Sequence, residues 1–346
     1  MTRIATVAPV LPEFSYSQAE ITAAIAPLLA PERKNRPVVE RMYSSSTVER
    51  RYSAVPLERI GEFASLTESN ALWVEAAVAL GERAVREALD TVGLSASDVD
   101  LLLFTSVTGV SAPSVDAIIA ERLGMRSDLR RWPSFGLGCV AGASGLARVH
   151  DYLLSRATGV AVLLAVELCS VTLQRGDRSM ANFVASGLFG DGAAAVVLLG
   201  EDHPKATGPR ITATRSALVP ETGGVLGFNL VSTGFEILLT AEVAGVIERA
   251  FPAEVAAVLG GRSLDGLAMV AHPGGPRILD AFAAALDLPR ERFARSWDSL
   301  AAKGNMSSAS VLHVLADTIA AGQHDALVFA VGPGVTAEFV VMEAVA

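Results

Sequence analysis

A cysteine stands alone in a glycine-rich turn, Gly136-Leu137-Gly138-Cys139-Val140-Ala141-Gly142, between an apolar stretch and a run with helical spacing. Far along the chain, Ala271-His272-Pro273-Gly274-Gly275-Pro276 follows an apolar run, and Gly304-Asn305-Met306-Ser307-Ser308-Ala309 opens a stretch of small residues. Together Cys139, His272 and Asn305 form a set able to do acyl transfer: a sulfur nucleophile, an imidazole and an amide donor. Each has a plainer alternative: a small buried hydrophobe, a structural histidine, a helix cap. The settings favour chemistry. Gly136, Gly138 and Gly142 permit a tight turn and close approach of other chain, and residues 140–154 can be a helix whose N-terminal dipole favours a thiolate. His272 lies just past a strand-like run, where open α/β folds place ligands, and Pro273-Gly274-Gly275 would fix its ring. The other histidines carry less weight. His150 would lie about 16 Å from Cys139 along one helix, at roughly 1.5 Å per residue, too far to be its base. His203 and His324 fall in polar turns, and His313 falls within a helical run.

Those side chains meet only if the chain between them builds a scaffold. Ser15-Tyr16-Ser17 ahead of Gln18-Ala19-Glu20, with Ile21, Ile25 and Leu29 spaced behind, predicts a first helix with a polar N-cap. Residues 67–89, rich in alanine, predict a longer one. Short apolar runs with β-branched content recur at 101–105, 160–166, 193–199, 267–271, 327–331 and 338–342, as buried strands do, with a helical run at 278–286. Strands alternating with helices give an α/β class. A loop-like region near 201–205 divides the chain into a larger front part and a smaller back part. The separation of Cys139 from His272 and Asn305 puts the reacting centre on the seam.

With 346 residues, 51% of them hydrophobic, and a mean hydropathy of +0.42, the chain can bury a large core. Its net charge of −9 argues against a general nucleic-acid binder. No apolar run reaches the roughly 18 residues that span a bilayer, because Glu167 interrupts the richest stretch, 159–173, so no integral membrane segment is expected. The first residues lack the pattern of a signal peptide, and a soluble, cytoplasmic protein is the expectation. Two cysteines, Cys139 and Cys169, are too few for a disulfide framework and are expected as free thiols. No metal-ligand spacing occurs, and no metal is assigned. The Gly-x-Gly-x-x-x-Gly spacing at 136–142 is a poor match to a dinucleotide fingerprint.

Taken in order, 137–143 (Leu-Gly-Cys-Val-Ala-Gly-Ala), 187–194 (Gly-Leu-Phe-Gly-Asp-Gly-Ala-Ala), 272–276 (His-Pro-Gly-Gly-Pro), 304–309 (Gly-Asn-Met-Ser-Ser-Ala) and 332–336 (Gly-Pro-Gly-Val-Thr) closely resemble the type III polyketide synthases, relatives of chalcone synthase. The resemblance spans most of the chain, and residues 166–175 are most similar to bacterial enzymes that make alkylpyrones and alkylresorcinols. It implies a thiolase-like fold: two similar halves, 1–207 with the cysteine and 208–346 with the histidine and asparagine, in a five-layer αβαβα sandwich that forms a homodimer. It also implies a cofactor-free enzyme whose substrates are coenzyme A thioesters. Cys139 would take the acyl starter from an acyl-CoA. His272 would keep the thiolate charged and, with Asn305, stabilise the enolate formed when malonyl-CoA, or methylmalonyl-CoA, loses carbon dioxide.

The same resemblance supplies cavity residues. Phe189 matches a gatekeeper phenylalanine and Phe235 falls near a second. Cys169 and Thr172 match cavity positions where bulk controls chain length, and Glu167 and Ser307 are expected on the same wall. Ala112 stands where plant members place a methionine that reaches into the partner's cavity; the smaller residue favours a fatty acyl starter closed to a pyrone or resorcinol. Of three basic residues that often hold coenzyme A phosphates in plant members, only Arg41 is kept, with Val38 and Ser45 at the other positions. Arg50, Arg51 and Lys303 are the expected substitutes. Two rivals stand beside this reading. A ketoacyl synthase acting on a carrier protein would show His-Gln-Ala-Asn where His-Pro-Gly-Gly stands, and a non-catalytic scaffold would be expected to lose Cys, His or Asn.

Overall fold

The computed structural model describes residues 1–63 and 65–345. The front half opens with β1 (Thr2–Val10) and a small hairpin-like pair, β2 (Phe14–Ser17) and β3 (Arg50–Ser53), which flanks α1 (Gln18–Leu29) and α2 (Arg36–Ser44). The long α3 (Leu66–Val92) precedes β4 (Leu101–Thr105), α4 (Val115–Arg122), β5 (Arg130–Ser134), α5 (Ala141–Leu153), β6 (Val160–Leu168), α6 (Met180–Leu188) and β7 (Asp191–Gly200). The back half runs β8 (Arg210–Leu218), β9 (Leu226–Val231), β10 (Gly234–Leu239), α7 (Val243–Leu259), β11 (Ala268–Ala271), α8 (Pro276–Ala285), α9 (Ala294–Lys303), α10 (Ser310–Ala320), β12 (Ala326–Gly332) and β13 (Thr336–Glu343).

Local signals account for the boundaries that the sequence predicts best. Ser17 and Glu20 close a capping box at the start of α1, the Ser17 side chain taking the Glu20 N–H and the Glu20 carboxylate taking the Ser17 N–H. In α3, the Ser65 hydroxyl accepts from the Glu68 N–H, and Gly93 ends the helix in the left-handed conformation.

The two halves repeat one pattern of pairing. In the front half β1 runs antiparallel to β7, β7 antiparallel to β6, and β6 parallel to β4. In the back half β8 is antiparallel to β13, β13 antiparallel to β12, and β12 parallel to β11. Among the described residues the half-sheets join in one sheet of nine strands, ordered β11-β12-β13-β8-β1-β7-β6-β4-β5, through a short junction where Thr2 and Arg3 pair with Ile211 and Arg210. Alternation along each strand then sorts the apolar side chains into layers. Leu102, Leu164 and Val197 face α3 on one outside. Leu103, Leu163 and Val196 face inward onto α5 and α10, and so do Val270, Val328 and Val340 of the back half. Leu327, Phe329 and Phe339 face α7 and α8 on the other outside. The result is an αβαβα sandwich of the thiolase-like type, whose central layer is the helix pair α5 and α10. No described helix is long and apolar enough to cross a membrane.

Candidate active site

The repeat brings the N-termini of α5 and α10 together, and the predicted residues stand there. Cys139 occupies a single 3-10 turn, Gly138–Val140, that leads into α5. Gly138 has φ 56°, and a Cβ on it would lie 2.8 Å from Pro333 Cδ, so the turn tolerates no side chain. Farther on, a Cβ at Gly142 would lie 2.2 Å from the Ser308 carbonyl oxygen and 2.7 Å from Val311. The first turn of α5 is therefore pressed directly onto the turn Ser307–Ala309 that starts α10. This contact sets the Cys139 thiol 3.7 Å from the Ser307 hydroxyl, to which it donates.

Asn305 is fixed by backbone and side chain alike. Its N–H donates to the Leu188 carbonyl and its own carbonyl accepts from Gly190, both at 2.9 Å, beside an isolated bridge to Phe189. Its Oδ1 accepts from the Ser307 N–H at 2.8 Å, and Nδ2 donates to the Gly274 carbonyl at 3.3 Å, with the amide also hydrogen-bonded toward the Cys139 sulfur. Ser307 is held at φ 46°, a region costly for a residue with a Cβ.

His272 follows β11, its N–H donating to the Phe329 carbonyl at 2.9 Å. A Cβ on Gly274 would come within 3.3 Å of the imidazole Cδ2. The ring is buried, and neither Nδ1 nor Nε2 has a hydrogen-bond partner among the described residues. Burial pushes the imidazole pKa down to about 3. Burial also pushes the Cys139 thiol up to about 12; the Ser307 and Asn305 hydrogen bonds oppose this and the Glu167 charge adds to it. Burial thus works against the charged form of each group taken singly.

Glu167 ends β6 fully buried, and it does not line the cavity as expected. Its Oε2 accepts from Ser106 Oγ (3.2 Å), the Val107 N–H (3.0 Å) and Thr108 Oγ1 (3.0 Å), and its Oε1 accepts from Ser308 Oγ (2.5 Å). It ties the loop after β4 to the turn before α10. Burial raises its pKa against those four bonds.

A cavity does gather Phe189, Phe235, Cys169, Thr172 and Ser307, together with Tyr16, Tyr52, Thr108 and Phe228. Ala112, expected to face the partner's cavity, is exposed on the loop that follows β4. The expected coenzyme A set is dispersed. Arg41 is exposed on α2, Arg50 is exposed and donates to Ser15 Oγ at 2.7 Å, and Lys303 pairs with Asp317 at 3.3 Å. Arg51 turns inward: 6% exposed, it donates to Gln18 Oε1 and to the Ser186 and Phe189 carbonyls at 2.7 to 3.1 Å, and it walls the cavity. A guanidinium so engaged is part of the core and is not free to hold a phosphate at the surface. Ser308, Ser106 and Thr108 escape sequence reasoning. Ser308 carried a signal in its small-residue turn, whereas the other two reach Glu167 across about sixty residues with no local mark. Among the described residues, no group of three His, Cys, Asp or Glu side chains is arranged to hold a metal ion.

Comparison with known proteins defines the class. The chalcone and stilbene synthase family matches in two pieces, its N-terminal domain over residues 12–203 and its C-terminal domain over 210–346. The chain belongs to that family. It is an acyltransferase of the type III polyketide synthase class, which condenses coenzyme A thioesters by decarboxylation. It is 44% identical to a 1,3,6,8-tetrahydroxynaphthalene synthase of Streptomyces peucetius subsp. caesius, over 99% of this chain and 93% of that protein. A putative chalcone synthase of Bacillus subtilis is 31% identical over 87% of this chain and 88% of its own. Among solved structures, the tetrahydroxynaphthalene synthase of Streptomyces coelicolor, described as a bacterial type III polyketide synthase, superposes with a TM-score of 0.90 at 28% identity, covering 98% of both chains.

The Gly142 contact is testable. Gly142→Ala must force α5 away from Ser308, and a displacement of about 1 Å at a reacting centre can cost a hundredfold in rate. Product formation should fall by at least that order while the far-UV circular dichroism is kept. A variant with the native rate would show that the approach is not what sets the site.

Proposed function

We propose that this enzyme builds a polyhydroxylated aromatic from malonyl-CoA alone, with Cys139 carrying the growing chain. The carrying observation is the His272 ring, buried with two unpartnered nitrogens, because an unpaired buried polar group costs about 1 to 3 kcal/mol and calls for a use. One nitrogen can take the Cys139 proton as sulfur attacks the malonyl thioester and coenzyme A leaves as its thiol. A second malonyl-CoA then loses carbon dioxide, and the negative charge that develops on its thioester oxygen meets the Asn305 amide and the His272 N–H. The enolate carbon attacks the Cys139 thioester, a carbon–carbon bond forms, and the sulfur departs. The halves 1–207 and 208–346 supply the nucleophile and the oxyanion donors respectively.

The starter follows from two supports. The 44% identical relative is named for a naphthalene, whose ten ring carbons equal five two-carbon units with oxygens in the alternating pattern that such units leave. The cavity wall includes Tyr52 and Ser307, whose hydroxyls have no hydrogen-bond acceptor among the described residues and could donate to the oxygens of a polyketone. The alkylpyrone and alkylresorcinol reading is a second choice: Ile21, Ile25, Ile60 and Leu173 would receive an alkyl chain, but the 44% identical relative is named for a naphthalene. Malonyl-CoA alone should yield a product with the mass of a tetrahydroxynaphthalene, absent in Cys139→Ala. Product formed only when fatty acyl-CoA is added would overturn the malonyl-only starter. Asn305→Ala should slow decarboxylation by about a hundredfold or more, one oxyanion donor being worth about 3 to 4 kcal/mol.

The acidity of Cys139 gives a pH test. A thiol raised to about 12 by burial ionises only as pH rises. With His272 present, an imidazolium beside the sulfur would offset the thiolate charge, and alkylation by iodoacetamide should proceed near neutrality. In His272→Ala it should be slow there and climb about tenfold per pH unit through the alkaline range. Identical profiles for the two proteins would remove His272 from the role of base.

We propose also that two copies pair through β5. This edge strand, Arg-Arg-Trp-Pro-Ser, leaves Trp132 45% exposed with Phe135 just beyond at 55%, and such an edge invites a partner. The Phe135 ring stands 6.2 Å from that of Phe235, a cavity residue, so pairing would close the cavity's outer side. Light scattering should give twice the chain mass of 36.0 kDa, and the double variant Trp132→Glu, Phe135→Glu should give the single mass. A native protein that is monomeric at micromolar concentration would refute the pairing.

A further inference from the structure

Asp191 is a buried acid that the reaction above does not use. It opens β7 fully buried, one residue past Gly190 of the cavity wall, and does not itself line the cavity. Its Oδ1 accepts from the Ser170 N–H at 2.7 Å, and its Oδ2 accepts from the Ala54 N–H at 2.7 Å and from Ser170 Oγ at 2.5 Å. These donors belong to two separate walls of the cavity. One is the end of β3, where Tyr52 and Ser53 precede Ala54; the other is the turn after β6, with Cys169, Ser170 and Thr172. The main chain beside Asp191 reaches the reacting centre, because the Gly190 N–H donates to the Asn305 carbonyl at 2.9 Å. Arg51 of β3 grips the same turn through the Phe189 carbonyl at 2.7 Å, and its charge acts on Asp191 through space. One turn, Phe189-Gly190-Asp191, thus meets Asn305 through its backbone and both walls through one carboxylate. Hydrogen bonds to a carboxylate are about twice as strong as neutral ones, so these bonds fix the walls more firmly than ordinary loop contacts would.

We propose that Asp191 is a positioning residue that sets how far the cavity walls stand from Asn305, and so how many extender units are added before the chain is released. This rests on Cys139, His272 and Asn305 being the reacting centre and on the cavity holding the growing chain. Asp191 touches no reacting atom, so loading and decarboxylation proceed without it.

The test separates decarboxylation from completion of the chain. Asp191→Asn keeps the size of the side chain but replaces one acceptor oxygen by a donor, which leaves a wall N–H without its partner. Carbon dioxide release should stay within about twofold of native. The fraction of it recovered in the native product should fall about tenfold, the change that one lost charge-assisted hydrogen bond can bring, with products of other chain length taking the rest. Ser170→Ala, which removes Oγ alone, should shift the products the same way and less far. Burial raises the Asp191 carboxyl to about 6 against its hydrogen bonds and the Arg51 charge. The acid form has lost an acceptor, so as pH falls through about 6 the native product ratio should move toward that of Asp191→Asn, whose own ratio should stay flat. Cys169, also beside the carboxyl, has its thiol raised by burial and does not ionise over that range. Amide exchange at Ala54 and Ser170, read without turnover, should quicken about tenfold in Asp191→Asn. Carbon dioxide release that falls in step with product, an unchanged product ratio in the variant, a native ratio flat through that pH, or native protection of both amides would each defeat the assignment. The pH arm needs no variant to fold. The ratio is read with whichever starter the native enzyme accepts, so failure of the malonyl-only starter is told apart from failure of Asp191.

Discussion

The approach of α5 to the turn that starts α10 is the constraint on which the site depends. Each helix is the buried middle of one half, and each begins with residues that bear chemistry: Cys139 before α5, and Asn305 with Ser307 before α10. A fold that repeats one βα pattern twice and packs the copies through their central helices brings those two starts together. The distance is set by Gly142 against the Ser308 carbonyl, where no side chain fits. Everything around the contact reinforces it. Gly138 lets the preceding turn lie on Pro333, and Glu167 accepts from Ser308 on one side and from the Ser106–Thr108 loop on the other. A buried carboxylate is costly unless its lone pairs are filled, and here four donors fill them. That burial makes Glu167 a rigid post between the halves.

Desolvation then shapes the chemistry. Burial of the reacting centre pushes the Cys139 thiol up and the His272 imidazole down, so a charge on either calls for an opposite charge nearby. The same low-dielectric setting makes any fixed donor more effective toward charge that appears during reaction. Donor geometry is accordingly well prepared, with the Asn305 amide pinned through Oδ1 to the Ser307 N–H and the His272 backbone locked into the β11–β12 pairing. The strain at Ser307, φ 46°, is tolerated because its N–H is held by that amide.

How much of this the sequence discloses follows from where each feature gets its information. The turns of Cys139, His272 and Asn305 are local patterns of glycine, proline and small residues, and they stand out in one dimension. β6 and β7 are buried along their whole length because helices cover both faces, so they read as unbroken apolar runs. β5 does not: it is an exposed edge with Pro133 inside it, and nothing in Arg-Arg-Trp-Pro-Ser resembles a buried strand. Arg51 is illegible for the opposite reason. Among the six basic residues of 32–51 it looks like surface charge, yet it turns into the core because the carbonyls of Ser186 and Phe189, some 135 residues away, need a donor. Glu167 fails likewise, since its partners come from two distant segments, 106–108 and Ser308.

The site is also a junction between two spaces, and this bears on how a chain can be lengthened without release. Leu188 and the Gly274-Gly275 turn belong to a groove between α2, α6 and the start of α8, Phe189 and Ser307 belong to the cavity, and Asn305 is hydrogen-bonded or bridged to members of both. On the function proposed above, a thioester reaching the site from one side and a product growing on the other would meet only at Asn305 and its neighbours. The extender could then be exchanged while the intermediate stays in the cavity, and the space behind Thr172, Phe189 and Phe235 would limit the number of units added. On that reading product identity rests with side chains that touch no reacting atom, so that a shared Cys, His and Asn would define the reaction class and leave the product to the cavity wall.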